Sequence, residues 1–500
     1  MNAMAKIRNF FGWLVKNLFE NGSGKAYSLF SILWLLIFYL FGLVLWGEFF
    51  NWHRSSISYF DWATINLPRY EVIRDALHYG QFPLHVADTA ALHRVTDRFW
   101  GLPDVISTPQ MLVMLFVDAD TFAFLDVLFF YTIATAGLVY FKKQFNLSLI
   151  AYTILFFLFN FNGYIQAHYS AGHASWGGYF LFPWVFILIF KVIEAPQGWR
   201  WVTGMAFLFL YMLLAGSEHH FLWLCIFLAV LSLTHSSRFK WIVAAIIASG
   251  LLGAVRLLPP VLQIGKFVSD SKLGFYSGYQ TSTDVLTSLF VLSKPLNDLA
   301  DTGKDLLLNP LFPWETDIFL GLVGGLFLLY FGIFQWAQDQ WGEKRFAQLI
   351  LPALVILLLA QGDVYKFTLF NIPFFASERV SARMIAVPFV LLMFIASIYF
   401  QDWLKKTPHP LAKIGVLVGL PILVSDLWSH LSLWRVDVMI KFFHPYSFVS
   451  QGNSIANHSD PLYTTTLIVA LLMTLLSAGF LLFQSWREKQ TVKATQLQVK

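Results

Sequence analysis

The sequence predicts an all-α fold: a polytopic integral-membrane helical bundle of about twelve transmembrane helices, with an amphipathic helix on the outer face after the first span. Three observations predict it. Hydrophobic residues make up 57% of the 500 residues and charged residues only 13%, against roughly 25% charged in soluble domains. Apolar runs of membrane-spanning length recur along the whole chain. Basic residues fall in alternate loops, the signature of a fixed orientation across a bilayer.

The elements follow in order. Residues 1–26, beginning "MNAMAKIRNFFGWLVKNLFE", carry basic residues on a short amphipathic run and no small-residue cleavage site. They read as a cytoplasmic interfacial segment leading into a retained first span. Apolar runs then occupy 27–47, 122–141, 147–165, 176–194, 202–216, 220–235, 239–262, 315–335, 346–361, 383–400, 412–430 and 463–485. The short pair flanking residue 218 is the weakest of them. Lys6, Arg8, Lys16 and Lys25 precede the first run, and Lys142/Lys143, Lys191/Arg200, Arg238/Lys240, Lys344/Arg345, Lys405/Lys406 and Arg487/Lys489 mark every second connection after it. That side should be cytoplasmic, with both termini and the tail 486–500 on it, as in an inner-membrane protein. The long connections 48–121, 263–314, 362–382 and 431–462 should all face outward, to the periplasm or cell exterior.

No P-loop, dinucleotide fingerprint or HExxH motif occurs, so cytosolic nucleotide chemistry has no candidate site. No fixed-period repeat or low-complexity stretch divides the chain, and 1–500 reads as one integral-membrane domain. The net charge of +5 is distributed by topology and points to no nucleic-acid partner. Cys225, the one cysteine, lies in an apolar run and can form no intrachain disulfide.

The polar residues of the outer loops carry the functional reading. Asp61 follows the first span. Asn66, Pro68 and Gly80 then delimit a helix with Leu67, Tyr70, Ile73 and Leu77 on one face, opposite Arg69, Glu71, Arg74 and Asp75, as expected of a helix lying in the interface. Further on, "NGYIQAHYSAGHASWGG" places His168 and His173 in an outer loop, and "AGSEHHFLW" places Glu218, His219 and His220 in a tight outer turn. Arg256 lies near the outer end of a span, and "FFASERVSARMIAVPF" sets Glu378, Arg379 and Arg383 before another. Singly, each has an ordinary alternative: a histidine can be a turn residue, and an arginine can snorkel to headgroups. Jointly they bring ionisable groups from five segments to one leaflet, where such groups are costly and tend to be functional. Arginine forks suit phosphate oxygens, and a carboxylate beside histidine suits proton transfer. Asp61, His173, Glu218, His219 and His220 could also hold a divalent cation such as Mg or Mn, although no tight ligand spacing specifies one.

The stretch "DWATINLPRYEVIRDALHYGQFPL" from Asp61, with "GHASWGGYFLFPWVF" and "SERVSARMIAVPF", resembles landmarks of the GT-C type membrane glycosyltransferases, and of the YfhO-like group in particular. The resemblance covers most of the chain as topology and three short stretches as motif. It implies transfer of a sugar from a polyprenyl-phosphate donor to a glycan, lipid or protein acceptor on the outer face. On that resemblance Asp61 is the general base, Arg256, Arg379 and Arg383 bind phosphate, and His168, His173, Glu218, His219 and His220 form the substrate site. Many members carry two adjacent acids in the first outer loop. Here Trp62 follows Asp61, which leaves Asp88, Asp97 and Asp104 as further participants to consider. Two other classes compete: a secondary transporter or flippase, which predicts polar residues at mid-membrane in matched halves, and a non-catalytic lipid-binding or assembly protein.

Overall fold

The computed structural model describes residues 3–22, 24–86, 97–263, 278–291, 313–372, 375, 378–406, 408–441 and 455–498. Asp88 and most of 263–314 lie outside them. Among the described residues there is no strand, only isolated bridges between His85 and Arg98, Val86 and Ile455, and Tyr279 and Gln361.

Every one of the twelve apolar runs falls on helix. Among the described residues, eight helices are long and apolar enough to cross a membrane: Lys25–Phe49, Ala119–Gln144, Leu149–Ser170, Ala174–Glu194, Pro313–Asp339, Ser381–Lys405, Pro410–Met439 and Pro461–Thr491. A ninth crossing is supplied if Glu218–Thr234 and Ser236–Leu252, bent by 113° at their junction, count as one. The expected number of twelve is not reached by length. The run 202–216 gives the 16-residue helix Trp199–Leu214, about 24 Å long against a hydrocarbon core of about 30 Å. The run 346–361 gives the similarly short Ala347–Leu359.

Burial sorts these helices into inner and outer ones. Leu149–Ser170 is buried along its whole span, whereas Lys25–Phe49 and Pro410–Met439 are largely uncovered by protein. Their bare faces carry Leu29, Ile32, Leu33, Ile414 and Val418, side chains suited to acyl chains rather than water. The inner helix is continuous only because Asn162 repairs its break. Asn162 Oδ1 accepts from the Ile165 N–H at 3.3 Å, and its Nδ2 donates to the Leu158 and Phe159 carbonyls at 2.8 Å each. That junction restarts the helix as Gly163–Ser170 and aims Gln166 and His168 at the polar end of the bundle.

The helix after Asp61 forms at Leu67–His78, with Pro68 in its first turn and Gly80 at φ +61° beyond its end. Its setting corrects the interfacial expectation. Leu67, Arg69, Tyr70, Val72, Ile73 and Ala76 are all buried by protein, so the helix is built into the bundle and not laid on a lipid surface. The physical reason is Arg69, expected on the polar face: its Nη1 is 2.6 Å from Asp104 Oδ2, which turns that face inward. Asn66 does not cap the helix with its side chain either. A π-helical turn, Trp62–Asn66, runs straight into it, and the Asn66 amide is used elsewhere.

Candidate functional site

Asp61 is positioned by a set of side chains that close off the end of a neighbouring helix. A helix leaves its last carbonyls without intrahelical partners. At Gly163–Ser170 these are taken by the connection after the helix Lys25–Phe49: Tyr59 donates to the Ser170 carbonyl at 2.8 Å, Trp62 Nε1 to Tyr169 at 2.8 Å, and Asn66 Nδ2 to Gly172 at 2.5 Å. Gly172 is at φ +89°, and a Cβ there would come within 2.4 Å of the Trp62 nitrogen and 3.0 Å of the Asp61 Cβ. Only glycine allows both the backbone angle and the approach. Phe60, just before the acid, is itself at φ +44°, a conformation costing on the order of 1–3 kcal/mol in a non-glycine residue. Its ring packs edge-on against Trp314, 5.1 Å between centroids.

Around Asp61 the cluster is organised by an indole. Asp61 Oδ2 lies 3.5 Å from His173 Nε2, and His173 Nδ1 lies 2.7 Å from His168 Nδ1. The His168 and His173 rings sit 4.6 and 4.8 Å from Trp176, with His220 at 5.4 Å and His219 at 6.0 Å. The Arg383 guanidinium lies over the same ring at 5.1 Å. Trp176 Nε1 donates to the Tyr164 hydroxyl, which in turn donates to the Arg383 carbonyl. Trp176 was not among the residues nominated from sequence.

Charge is paired across this hub. Arg383 makes a bidentate bridge to Glu315, at 2.6 and 2.5 Å. His219 Nδ1 is 2.9 Å from Glu378 Oε2, which also accepts from Trp223 Nε1 at 3.0 Å, and His219 Nε2 is 3.5 Å from Glu218 Oε1. A ring with a carboxylate at each nitrogen suits the doubly protonated form. Several groups have no hydrogen bond: His168 Nε2, both nitrogens of His220, Glu218 Oε2 and Glu378 Oε1. Asp61 keeps 26% of its side chain exposed while His173 keeps 8%, so the acid forms the open end of the row. Chemically, Asp61–His173–His168 is a line along which a proton can be held or passed. The 3.5 Å step exceeds hydrogen-bond length, as catalytic contacts often do before substrate tightens them.

The nominated residues do not all meet here. Asp61, His168, His173, Glu218, His219, His220, Glu378 and Arg383 converge, each at the helix end away from the lysine- and arginine-bearing connections. Arg379 adjoins them and is partly exposed. Arg256 stands close enough to Glu218 and Asp104 to feel both charges, but its fork is occupied. It is buried, with Nη1 donating to the Trp100 carbonyl and Nη2 to those of Leu102, Pro103 and Val105 at 2.5–3.1 Å, and with the Trp100 ring against its guanidinium. Asp104 pairs with Arg69 and feels the charge of His219. Burial acts to raise the Asp104 carboxyl, but the Arg69 charge and hydrogen bond outweigh it and hold the group below its ordinary value. Asp97 lies with His85 and His458, away from Asp61. Of the five groups considered for a divalent cation, no three bring ligand atoms within 4.8 Å of one another among the described residues.

Two acids escaped the sequence reading. Glu315 holds Arg383. Asp317 is fully buried beside His430: His430 Nε2 is 2.8 Å from Asp317 Oδ2, which also accepts from Trp434 Nε1 at 2.9 Å, and His430 Nδ1 faces Gln166 Oε1 at 2.8 Å. The signal was present, since two acids at the start of an apolar run in "FPWETDIF" are expensive there and demand partners. No family model, no curated protein and no solved structure matches the chain.

Proposed function

We propose that the protein is a GT-C type membrane glycosyltransferase that moves a sugar from a polyprenyl-phosphate donor to an acceptor hydroxyl on the extracytoplasmic face. The observation that carries this reading is Asp61: a partly exposed carboxylate, set by a strained residue and a glycine contact, with the His173–His168 pair behind it. In this reading the eight or nine spanning helices, with the shorter apolar helices packed among them, form the lipid-embedded body, and the four long connections make up the outer face.

The residues divide the work as follows. Asp61 removes the proton of the acceptor hydroxyl as that oxygen attacks the anomeric carbon. The anomeric C–O bond to the phosphate breaks, and the donor leaves as polyprenyl phosphate. His173 orients Asp61 and helps to hold the proton. Arg379 and the His219 imidazolium, both partly exposed, offset the charge developing on the leaving phosphate. Arg383 and Arg256 act one step back, because Glu315 and the loop carbonyls already occupy their forks. Trp176 gives the cluster a rigid apolar floor.

Purified full-length protein in lipid, supplied with polyprenyl-phosphate hexoses and pentoses and a hydroxyl-bearing acceptor fraction, tests this directly. Asp61→Asn should lower transfer by at least about 10²-fold with the melting temperature unchanged. Unaltered transfer in that variant, or no transfer by the wild type from any such donor, sinks the reading.

A further inference from the structure

The first and last outer loops meet in a small junction that takes no part in the Asp61 cluster. Val86 and Ile455 form a bridge. Asn457 Oδ1 accepts from the Leu84 and His85 N–H groups at 3.1 and 3.0 Å, and its amide donates to the Phe82 carbonyl. Arg98 grips Asp460 with two hydrogen bonds. Inside this frame His85, Asp97 and His458 present one ligand atom each, all within 4.8 Å of one another.

We propose that His85, Asp97 and His458 bind a divalent transition-metal ion of the Zn2+ class, which staples the two loops together. Three features of the side chains point to a cation. His85 has no exposed surface, yet neither of its ring nitrogens makes a hydrogen bond, a costly arrangement for a buried polar ring. His458 Nδ1 is 3.0 Å from the Ala456 carbonyl. A carbonyl can only accept, so Nδ1 carries the N–H and Nε2 is the nitrogen left to face a metal, the arrangement a ligating imidazole needs. That Nε2 lies 3.2 Å from Asp97 Oδ2, and His85 Nδ1 lies 3.4 Å from the same oxygen.

Those spacings suit three ligands of one cation. A charge-assisted N–H···O contact closes to about 2.7–2.9 Å. Ligands at about 2.0–2.1 Å from a tetrahedral metal stand roughly 3.3–3.4 Å apart, close to the 3.2 and 3.4 Å found here, and the two imidazoles present their ligand atoms within 4.8 Å of each other. Two imidazoles and one carboxylate favour Zn2+ over the oxygen-seeking Mg2+ or Ca2+. His458 keeps 53% and Asp97 39% of its side chain exposed, so solvent has access to a fourth position. The site is separate from the transfer reading, and neither depends on the other.

Full-length protein in detergent, stripped with chelator, is titrated with Zn2+ by calorimetry and with Co2+ by visible absorption. The wild type should take up one saturable equivalent, give the intense spectrum of tetrahedral Co2+, and melt at a higher temperature with Zn2+ present. His458→Ala, at an exposed position, and Asp97→Asn, at a half-buried one, should weaken binding by more than about 100-fold and abolish the Co2+ spectrum. His173→Ala, in the other histidine cluster, should retain all three properties. The inference is overturned if the wild type shows no saturable binding. It is equally overturned if His458→Ala binds as the wild type does, or if His173→Ala is the variant that loses the ion.

Discussion

Two histidine–carboxylate pairs stand on either side of the helix Gly163–Ser170, one met by Gln166 and the other by His168. Around Asp317 and His430 everything is closed: both ring nitrogens face acceptors, the carboxylate collects His430, Trp434 Nε1 and the Phe319 N–H, and Phe319 stacks on the imidazole at 4.6 Å. Around Asp61 and His173 the carboxylate–imidazole contact is longer, at 3.5 Å, the carboxylate is partly open to solvent, and neighbouring nitrogens and oxygens lack partners. A fully satisfied buried network fixes a fold. A partly satisfied one beside an opening keeps bonding capacity for something that arrives later. The difference teaches which pair holds the bundle and which is available for chemistry.

The comparison can be broken most forcefully at Asp317. Asp317→Ala leaves His430, Trp434 Nε1 and the Phe319 N–H buried without their shared acceptor and, at about 1–3 kcal/mol for each orphaned group, should cost at least about 3 kcal/mol, seen as a collapsed melting temperature and low recovery of folded protein. Asp61→Asn, by contrast, should remove activity and leave stability intact. Equal losses of stability in the two variants would erase the distinction. A smaller effect is expected at Gly172. Gly172→Ala forces a methyl against the Trp62 nitrogen and should cost about 1–3 kcal/mol by overpacking. It should also lower transfer by up to about 100-fold through misplacement of Asp61, with donor binding by the membrane-embedded protein preserved.

The smallest effect concerns acid. Asp104 is held below its ordinary value in the folded protein, so it binds fewer protons folded than unfolded. Its contribution to stability is therefore present above the ordinary carboxylate range, about pH 4, and fades as pH falls through the lower folded value. Arg69→Met should flatten that acid-side dependence, measured as melting temperature against pH, and should leave the curve near neutrality in place.

Hydropathy located the helices well because each apolar run had to be helical once its backbone left water. The short runs at 202–216 and 346–361 were read as full spans because composition does not register length lost at a turn. The polar cluster was half legible. Asp61, His168, His173, Glu218, His219, Glu378 and Arg383 stood out as ionisable groups beside apolar runs, but the acid that holds Arg383 did not. Glu315 and Asp317 were absorbed into the edge of a hydrophobic window. Trp176, in a chain with 19 tryptophans, carried no mark of being the ring around which the others pack. Arg256 showed its position and not its use, since backbone carbonyls as partners leave no trace in residue type.

That last arrangement has a consequence for the order of biosynthesis. The carbonyls of Trp100 through Val105 leave the ribosome about 150 residues ahead of the guanidinium that holds them, a delay of roughly 8–30 seconds at about 5–20 residues per second. Glu315 and Arg383 follow later still, and the last-loop residues that meet His85 come near the end of the chain. The loop that carries Asp61 is thus among the first parts to be made and among the last to be locked, so a nascent chain stalled before Arg256 would hold its helices without a finished polar end.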